Sequence, residues 1–171
     1  RIRKIDNQGV VKVVAGTGDP GYNIDGIIAT SSQLYSPGGT AVDAQGNLYI
    51  ADTLNHRVRK VDPKGIISTI AGTGIAGFSG DNGPAIKAKI DTPTSVAISS
   101  DGYLYFSHGL NPRVRKISPR GRISTIAGTG TAGFSEDGTS ADKARLSEWS
   151  STVLGPDDTV YIVDHKNNRI F

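Results

Sequence analysis

The chain has 171 residues, a formal net charge of +3 and 36% hydrophobic residues. Such a length favours one domain with enough apolar residues for a core, and so slight a charge does not by itself indicate a nucleic-acid partner. The absence of cysteine excludes disulfides, thiol catalysis and cysteine-based zinc sites, whereas 22 glycines and 8 prolines are typical of many short strands joined by turns.

The first predicted elements are two short strands, at residues 1–6 (RIRKID) and 10–16 (VVKVVAG), joined by a turn at glycine. A glycine-rich segment and a long loop follow. Apolar residues within the later copies of this loop recur at helix-like spacing, as in PAIKAKI at 84–90. Next come four strands rich in β-branched and aromatic residues, separated by turn residues, at 39–43, 47–52, 57–62 and 66–72.

The same order of strands recurs at an offset of 56 residues. Segment 67–81 and segment 123–137 are identical at 13 of 15 positions. One four-stranded sheet cannot bury both of its faces, but identical sheets stacked around an axis can. We therefore predict an all-β fold: a β-propeller built from 56-residue four-stranded blades, three blades per chain. Residues 1–171 would form one domain whose first and last blades are incomplete, and a solenoid is the alternative.

The glycines after the outermost strand have the spacing of a dinucleotide-binding turn, at Gly72, Gly74 and Gly77. This triplet occurs three times and leads into loop-like sequence, whereas a Rossmann fingerprint occurs once per site and opens into a helix. We expect these glycines to adopt positive φ where the strand leaves the sheet. No cofactor is predicted.

Segment 46–74, GNLYIADTLNHRVRKVDPKGIISTIAGTG, closely resembles an NHL repeat, and the match extends over the whole chain in three copies. The continuation GFSGDNGPA resembles the longer bacterial-type and teneurin-type repeats. The resemblance implies a propeller, most often six-bladed, so three blades would make half a ring. Two copies could complete it as a head-to-tail homodimer, or the three blades could be cut from a longer chain, and both readings stay open.

The family contains RNA-binding and protein-binding platforms, extracellular adhesion modules and a few enzymes such as the amidating lyase. No nucleophile–base pair or pair of catalytic carboxylates stands out in this sequence, so no catalytic residue is predicted. We predict a non-catalytic scaffold that binds a protein or other ligand at its loop-bearing rim. The alternatives are a metal-dependent lyase or hydrolase with histidines at the axis, or a single-stranded RNA-binding platform.

Three histidines, His56, His108 and His165, lie in or beside the loops between second and third strands, at three different repeat positions. Histidine suits ligand binding and metal coordination, yet these positions do not correspond and no carboxylate spacing completes a metal set. We predict no metal. The residues predicted to bind ligand at the rim are His56, His108, His165, Asn111, Lys166 and Trp149.

Trp149 is the only tryptophan and stands where the other repeats have Pro37 and Pro93. It is either an exposed contact residue or a ring packed over the inner strand. No apolar run is long enough for a membrane span, so no membrane partner is predicted, and the sequence indicates no compartment.

Some residues recur in every blade. The family resemblance implies that Asp52 and Arg57 form a structural pair bracing the loop between them, with His108 breaking this pattern in the middle copy. The RVRK strands predict a basic stripe on a solvated outer face, and base-stacking aromatics are not interleaved with it, so nucleic acid is an unlikely partner. Three aspartates of the long loop suit local caps or Asx-turns better than calcium, at Asp25, Asp81 and Asp137.

Overall fold

The computed structural model describes residues 1–171 and is all-β. Four antiparallel sheets follow one another along the chain: a first sheet β1–β2, a second β3–β6, a third β7–β10 and a fourth β11–β13. No helix is long and apolar enough to cross a membrane. The strands are β1 (Ile2–Ile5), β2 (Val11–Ala15), β3 (Thr40–Val42), β4 (Leu48–Asp52), β5 (Arg57–Val61), β6 (Ile67–Ala71), β7 (Pro93–Ile98), β8 (Leu104–His108), β9 (Val114–Ile117), β10 (Ile123–Ala127), β11 (Ser151–Leu154), β12 (Val160–Asp164) and β13 (Arg169–Ile170).

Both faces of the second sheet are buried, because each packs against a neighbouring sheet. In β4, Ile50 belongs to the apolar cluster shared with the first sheet, whereas Tyr49 and Ala51 belong to the cluster shared with the third. Successive side chains of a strand point to opposite faces, so a run of apolar residues is needed where both faces are covered. One linker residue fills each of the three interfaces between sheets, at Leu34, Ile90 and Leu146.

Five hairpin turns begin with an aspartate or serine and have a glycine three residues later, whereas the β11–β12 turn has Asp158 at φ of 62° in place of that glycine. Asp62 Oδ1 accepts the backbone N–H groups of Lys64 and Ile66, each at 2.9 Å. Gly65 has φ of 81°, which a side chain would strain. These turns fix the register in which β5 pairs with β6.

The long linkers contain one 3-10 turn each, at Ala29–Ser31, Ala85–Lys87 and Ala141–Lys143, rather than the longer helical segment that their apolar spacing suggests. The physical reason, in the first two linkers, is that the residue before the turn pairs with the next sheet. Ile28 forms a β-bridge with Ile66, and the Ala29 N–H donates to the Gly65 carbonyl at 2.8 Å. The linkers thus attach each outer strand to the sheet that follows.

The repeated glycines make room for a repeated arginine. Gly72, Gly74 and Gly77 have φ of 92°, 86° and 139°, as expected for turn residues. The Arg57 guanidinium donates from Nη2 to the Thr73 carbonyl at 3.0 Å, and a Cβ on Gly74 would lie 2.2 Å from Arg57 Nη1. Arg57 therefore attaches the glycine loop to the start of β5.

The buried partner of Asp52 is Arg59, not Arg57, so the pairing implied by the family resemblance is wrong. Arg59 Nη1 donates to Asp52 Oδ2 at 3.2 Å, and both side chains are 0% exposed. Arg59 Nη2 also donates to Asp25 at 2.8 Å. Arg59 and its equivalent Arg115 lie inside the protein, so the prediction of a solvated basic stripe is wrong for these two residues.

Two of the repeated linker aspartates join neighbouring sheets instead of capping a local turn. Asp25 accepts from Arg59 and also from the Thr69 backbone N–H at 3.0 Å. Asp81 accepts from Arg115 at 2.7 Å. Asp25 and Asp81 therefore each bind an arginine of the following sheet that lies 34 residues later in the chain.

Candidate functional site

A groove of about 370 Å³ lies where the inner strands β3, β7 and β11 begin. Backbone and side-chain hydrogen bonds hold these strand starts together. The Gly39 N–H donates to the Thr94 carbonyl at 2.8 Å, and Thr94 Oγ1 donates to the Ser150 carbonyl at 2.8 Å. The groove is lined by Ser36, Pro37, Gly38, Thr53, Thr94, Trp149, Ser151 and His165, and we call it the inner-strand groove.

Trp149 gives the groove its aromatic wall. Its side chain is exposed at a relative area of 43%, and its backbone has φ of 64°, a conformation that a bulky residue rarely adopts. The Trp149 N–H donates to the Gly109 carbonyl at 2.9 Å, and a Cβ on Gly109 would lie 3.0 Å from the indole ring. The third sheet therefore fixes the position of this ring.

His165 and Lys166 belong to a 3-10 turn, His165–Asn167, that follows β12. His165 lines the groove together with Trp149. Asp164 stabilises this turn, because its carboxylate accepts from the Ser147 N–H at 2.9 Å and from Asn167 Nδ2 at 2.8 Å. His165 lies with Nε2 3.4 Å from Ser151 Oγ. Lys166 Nζ donates to Glu148 Oε2 at 2.6 Å. An imidazole, an indole and an exposed ion pair thus meet at the fourth sheet.

His56 and Asn111 lie outside the lining of this groove. His56 has φ of 49° at the end of the 3-10 turn Thr53–Asn55, and its Nδ1 accepts the Thr92 N–H at 3.1 Å. The Asn111 side-chain oxygen accepts a hydrogen bond from the Arg113 guanidinium. Both side chains have contacts inside the protein, one between sheets and one within a loop.

His108 is 0% exposed, at the end of β8, instead of on an exposed loop. Its ring stacks on Phe106 with a centroid distance of 5.5 Å and an interplanar angle of 20°. Burial lowers the pKa of His108 to about 3, with further lowering from the positive charges of Arg115 and Arg113. This imidazole is neutral at pH 7.

His56 and His108 accept hydrogen bonds from two adjacent residues, Thr92 and Asp91, whereas His165 lies near Ser151. No group of three or more His, Asp or Glu side chains is arranged to hold a metal ion. Trp149 and His165 line the inner-strand groove, whereas Lys166, His56, Asn111 and His108 lie outside its lining. Sequence reasoning missed the hydroxyl residues of the groove. Their signal was variation between repeats, because the lining includes Gly38 and Thr94 from one repeat position and Thr53 and His165 from another.

The comparisons with known proteins agree with this architecture. Residues 6–78 match the family model described as the teneurin NHL domain. The repeats of this chain are NHL repeats of the teneurin-like type. Human Teneurin-4 is 38% identical over 103 residues, which covers 53% of this chain and 4% of that protein. Protein SUPPRESSOR OF QUENCHING 1, chloroplastic, of Arabidopsis thaliana is 28% identical over 171 residues, covering 95% of this chain and 16% of that protein.

Among solved structures, virginiamycin B lyase of Staphylococcus aureus superposes on 98% of this chain and 43% of its own, with a TM-score of 0.52 and 16% identity. At this identity the likeness concerns the fold alone. Together with the four-stranded sheets packed side by side, it supports a β-propeller fold. The chain spans only a small part of the curated relatives it matches.

Proposed function

We propose that this NHL scaffold is non-catalytic and binds a protein or other ligand in the inner-strand groove. The observation that carries the proposal is Trp149, a half-exposed aromatic ring held in a strained conformation where the other repeats have proline. Tryptophan is enriched among the residues that contribute most to binding. A ring fixed before binding loses little conformational freedom when a ligand arrives.

The polar groups of the groove support contact rather than chemistry. Thr53 Oγ1 donates to the Pro93 carbonyl at 2.7 Å, and Thr94 Oγ1 donates to the Ser150 carbonyl. These two hydroxyls are committed as donors to the backbone. Ser151 Oγ lies 3.4 Å from His165 Nε2, which is longer than the contact of an activated nucleophile with its base, and no third group orients that imidazole. The groove therefore offers positioned surfaces, with His165 and the Lys166–Glu148 ion pair as polar neighbours.

A selected peptide can test this binding site. Because Trp149 is the only tryptophan, its fluorescence reports directly on the groove. We expect peptides selected from a random library to shift this emission, and Trp149→Ala to weaken their binding at least tenfold. The matched control is Tyr161→Ala, since Tyr161 is 42% exposed on the fourth sheet but outside the groove. Equal binding by wild type and Trp149→Ala would overturn the proposal.

We further propose that a second copy of the chain completes a six-bladed ring. A cleft of about 590 Å³ between the first and second sheets leaves Val42 62% exposed. The equivalent residue of the third sheet, Ile98, packs against the apolar cluster between the second and third sheets. The inner hairpin β3–β4 of the second sheet covers the surface of the third sheet around Ile98. An equivalent hairpin from a head-to-tail partner would fit the cleft.

Solution mass tests the ring. We expect light scattering to give twice the mass of one chain for the wild type and the mass of one chain for Val42→Lys. The control is Ile75→Lys, because Ile75 is 59% exposed on a linker. This variant is expected to keep the mass of the wild type. A monomeric wild type at micromolar concentration would overturn the homodimer.

A further inference from the structure

The third sheet differs from its neighbours at one buried position. Asp52 in the second sheet and Asp164 in the fourth correspond to His108 in the third. In the second sheet Asp52 Oδ1 accepts the Tyr35 N–H at 2.8 Å, while Oδ2 accepts from Asn55 Nδ2 at 2.8 Å and Arg59 Nη1 at 3.2 Å. The carboxylate thus satisfies three donors, one of them a charged arginine.

His108 replaces only one of these two acceptor atoms. Its Nδ1 accepts the Asp91 N–H at 3.4 Å, the counterpart of the bond from Tyr35. A neutral imidazole that accepts at Nδ1 carries its proton on Nε2, which is then a donor. No protein acceptor lies within hydrogen-bond distance of His108 Nε2. The histidine therefore adds a donor where the other sheets have an acceptor.

Arg115, the counterpart of Arg59, loses a partner as a result. Its Nη2 donates to Asp81 at 2.7 Å and to the Ser79 carbonyl at 3.2 Å, but Nη1 has no protein acceptor. In the second sheet the equivalent Nη1 is paired with Asp52. Arg115 and His108 are both 0% exposed. Two buried donors, one of them charged, therefore occupy the region where the second sheet has a carboxylate.

We propose that the third sheet binds a small monovalent inorganic anion of the halide class between Arg115 Nη1 and His108 Nε2. The anion takes the position that Asp52 Oδ2 has in the second sheet and returns the negative charge that the histidine lacks. Both groups are donors, which excludes a cation as the ligand. Complete burial favours a monatomic anion over a larger oxyanion, and a buried arginine is stabilised by an opposite charge with good geometry.

Halide-dependent stability tests this site in the full chain. At constant ionic strength, with gluconate replacing chloride, the wild-type unfolding midpoint is expected to rise by about 4 °C per tenfold increase in chloride above the dissociation constant. His108→Asp supplies its own carboxylate to Arg115 and is expected to abolish this slope. Asp52→His transfers the same pair of donors to the second sheet and is expected to increase it.

Crystals of the wild type grown in sodium bromide are expected to show an anomalous peak beside Arg115 that is missing in His108→Asp. Equal chloride slopes in wild type and His108→Asp, or bromide bound only on the protein surface, would overturn the proposal. If Asp52→His fails to fold, the comparison of wild type with His108→Asp and the bromide peak still decide the question.

Discussion

The second and third sheets have the same four strands and the same turns, yet they differ where β4 and β8 end. In the second sheet, Asp52 is followed by a 3-10 turn that closes with His56 at φ of 49°. In the third, His108 is followed by residues 109–112 without such a turn. Pro112 stands at the position of His56, and proline cannot adopt a positive φ. The loop instead bonds to the residue before β7, because the Leu110 N–H donates to Thr92 Oγ1 at 3.0 Å.

The loops after β4 and β8 differ, whereas the rest of the repeat is shared, so the framework and the variable surface can be told apart. Strand pairing, hairpin turns and the arginine on the glycine loop are common to both sheets, so they maintain the framework. The residues after β8 and β12 vary, and they form the wall on which Trp149 rests and the neighbouring His165 turn. Variation between copies of a repeat thus identifies surface that the framework does not require.

The largest expected effect comes from breaking the buried ion pair of the second sheet. Arg59→Met leaves Asp52, which is 0% exposed, without its cation. Removing one partner of a buried pair costs about 3–5 kcal/mol. In chloride-free buffer, Arg115→Met is expected to cost about 1–3 kcal/mol, the range for leaving a buried polar partner unsatisfied, because it releases only Asp81, whose side chain is 32% exposed. Urea unfolding measures both.

An exposed arginine provides the control for this pair of variants. Arg120→Met lies on a turn and is expected to change the free energy of unfolding by less than about 0.5 kcal/mol. If Arg59→Met and Arg115→Met lower the free energy of unfolding equally, the Asp52 carboxylate adds no stability to the second sheet. The difference between Asp52 and His108 would then have no effect on stability.

The sequence predicted the repeat, the strands and the glycine turns because these depend on neighbours along the chain. It did not predict that Arg59 is buried. Arginine at alternate positions of a strand is typical of a solvated face, and the partner that makes burial possible, Asp25, lies 34 residues away. The position of Trp149 likewise depends on Gly109 in another sheet. Such long-range contacts have no signature in local spacing.

The next largest effect is a response to acid that belongs to the third sheet. The pKa of His108 is lowered to about 3 in the folded state, chiefly by burial, so below its ordinary value of 6.5 the unfolded chain binds the additional proton. Stability therefore falls as the pH falls below 6.5 and is unaffected by this group above it. In chloride-free buffer, the expected loss between pH 6.5 and 5 is about 2 kcal/mol, measured by urea unfolding.

His108→Gln isolates this contribution, since every other residue is the same in both proteins. The loss between pH 6.5 and 5 should be smaller in the variant by the amount that His108 contributes. In the second sheet the direction is opposite, because burial raises the pKa of Asp52 in spite of the nearby Arg59. A raised folded-state pKa makes that group favour the folded state as the pH falls. Equal acid sensitivity in wild type and His108→Gln would contradict the assignment to the third sheet.

The smallest expected effect tests what the two sheets share. Arg57 lies 3.8 Å from the centre of the Tyr22 ring, and Arg113 lies 3.9 Å from that of Phe78. Tyr22→Leu and Phe78→Leu each remove this contact, which contributes about 0.5–1 kcal/mol at a partly exposed site, and a second contact with a buried arginine, Arg59 at 4.9 Å or Arg115 at 4.8 Å. Thermal unfolding should give the two variants equal losses, because this contact is common to both sheets. A much larger loss for Phe78→Leu would mean that the aromatic ring compensates Arg115 for its missing carboxylate, so the two sheets would differ in their aromatic contacts as well as in their buried charges.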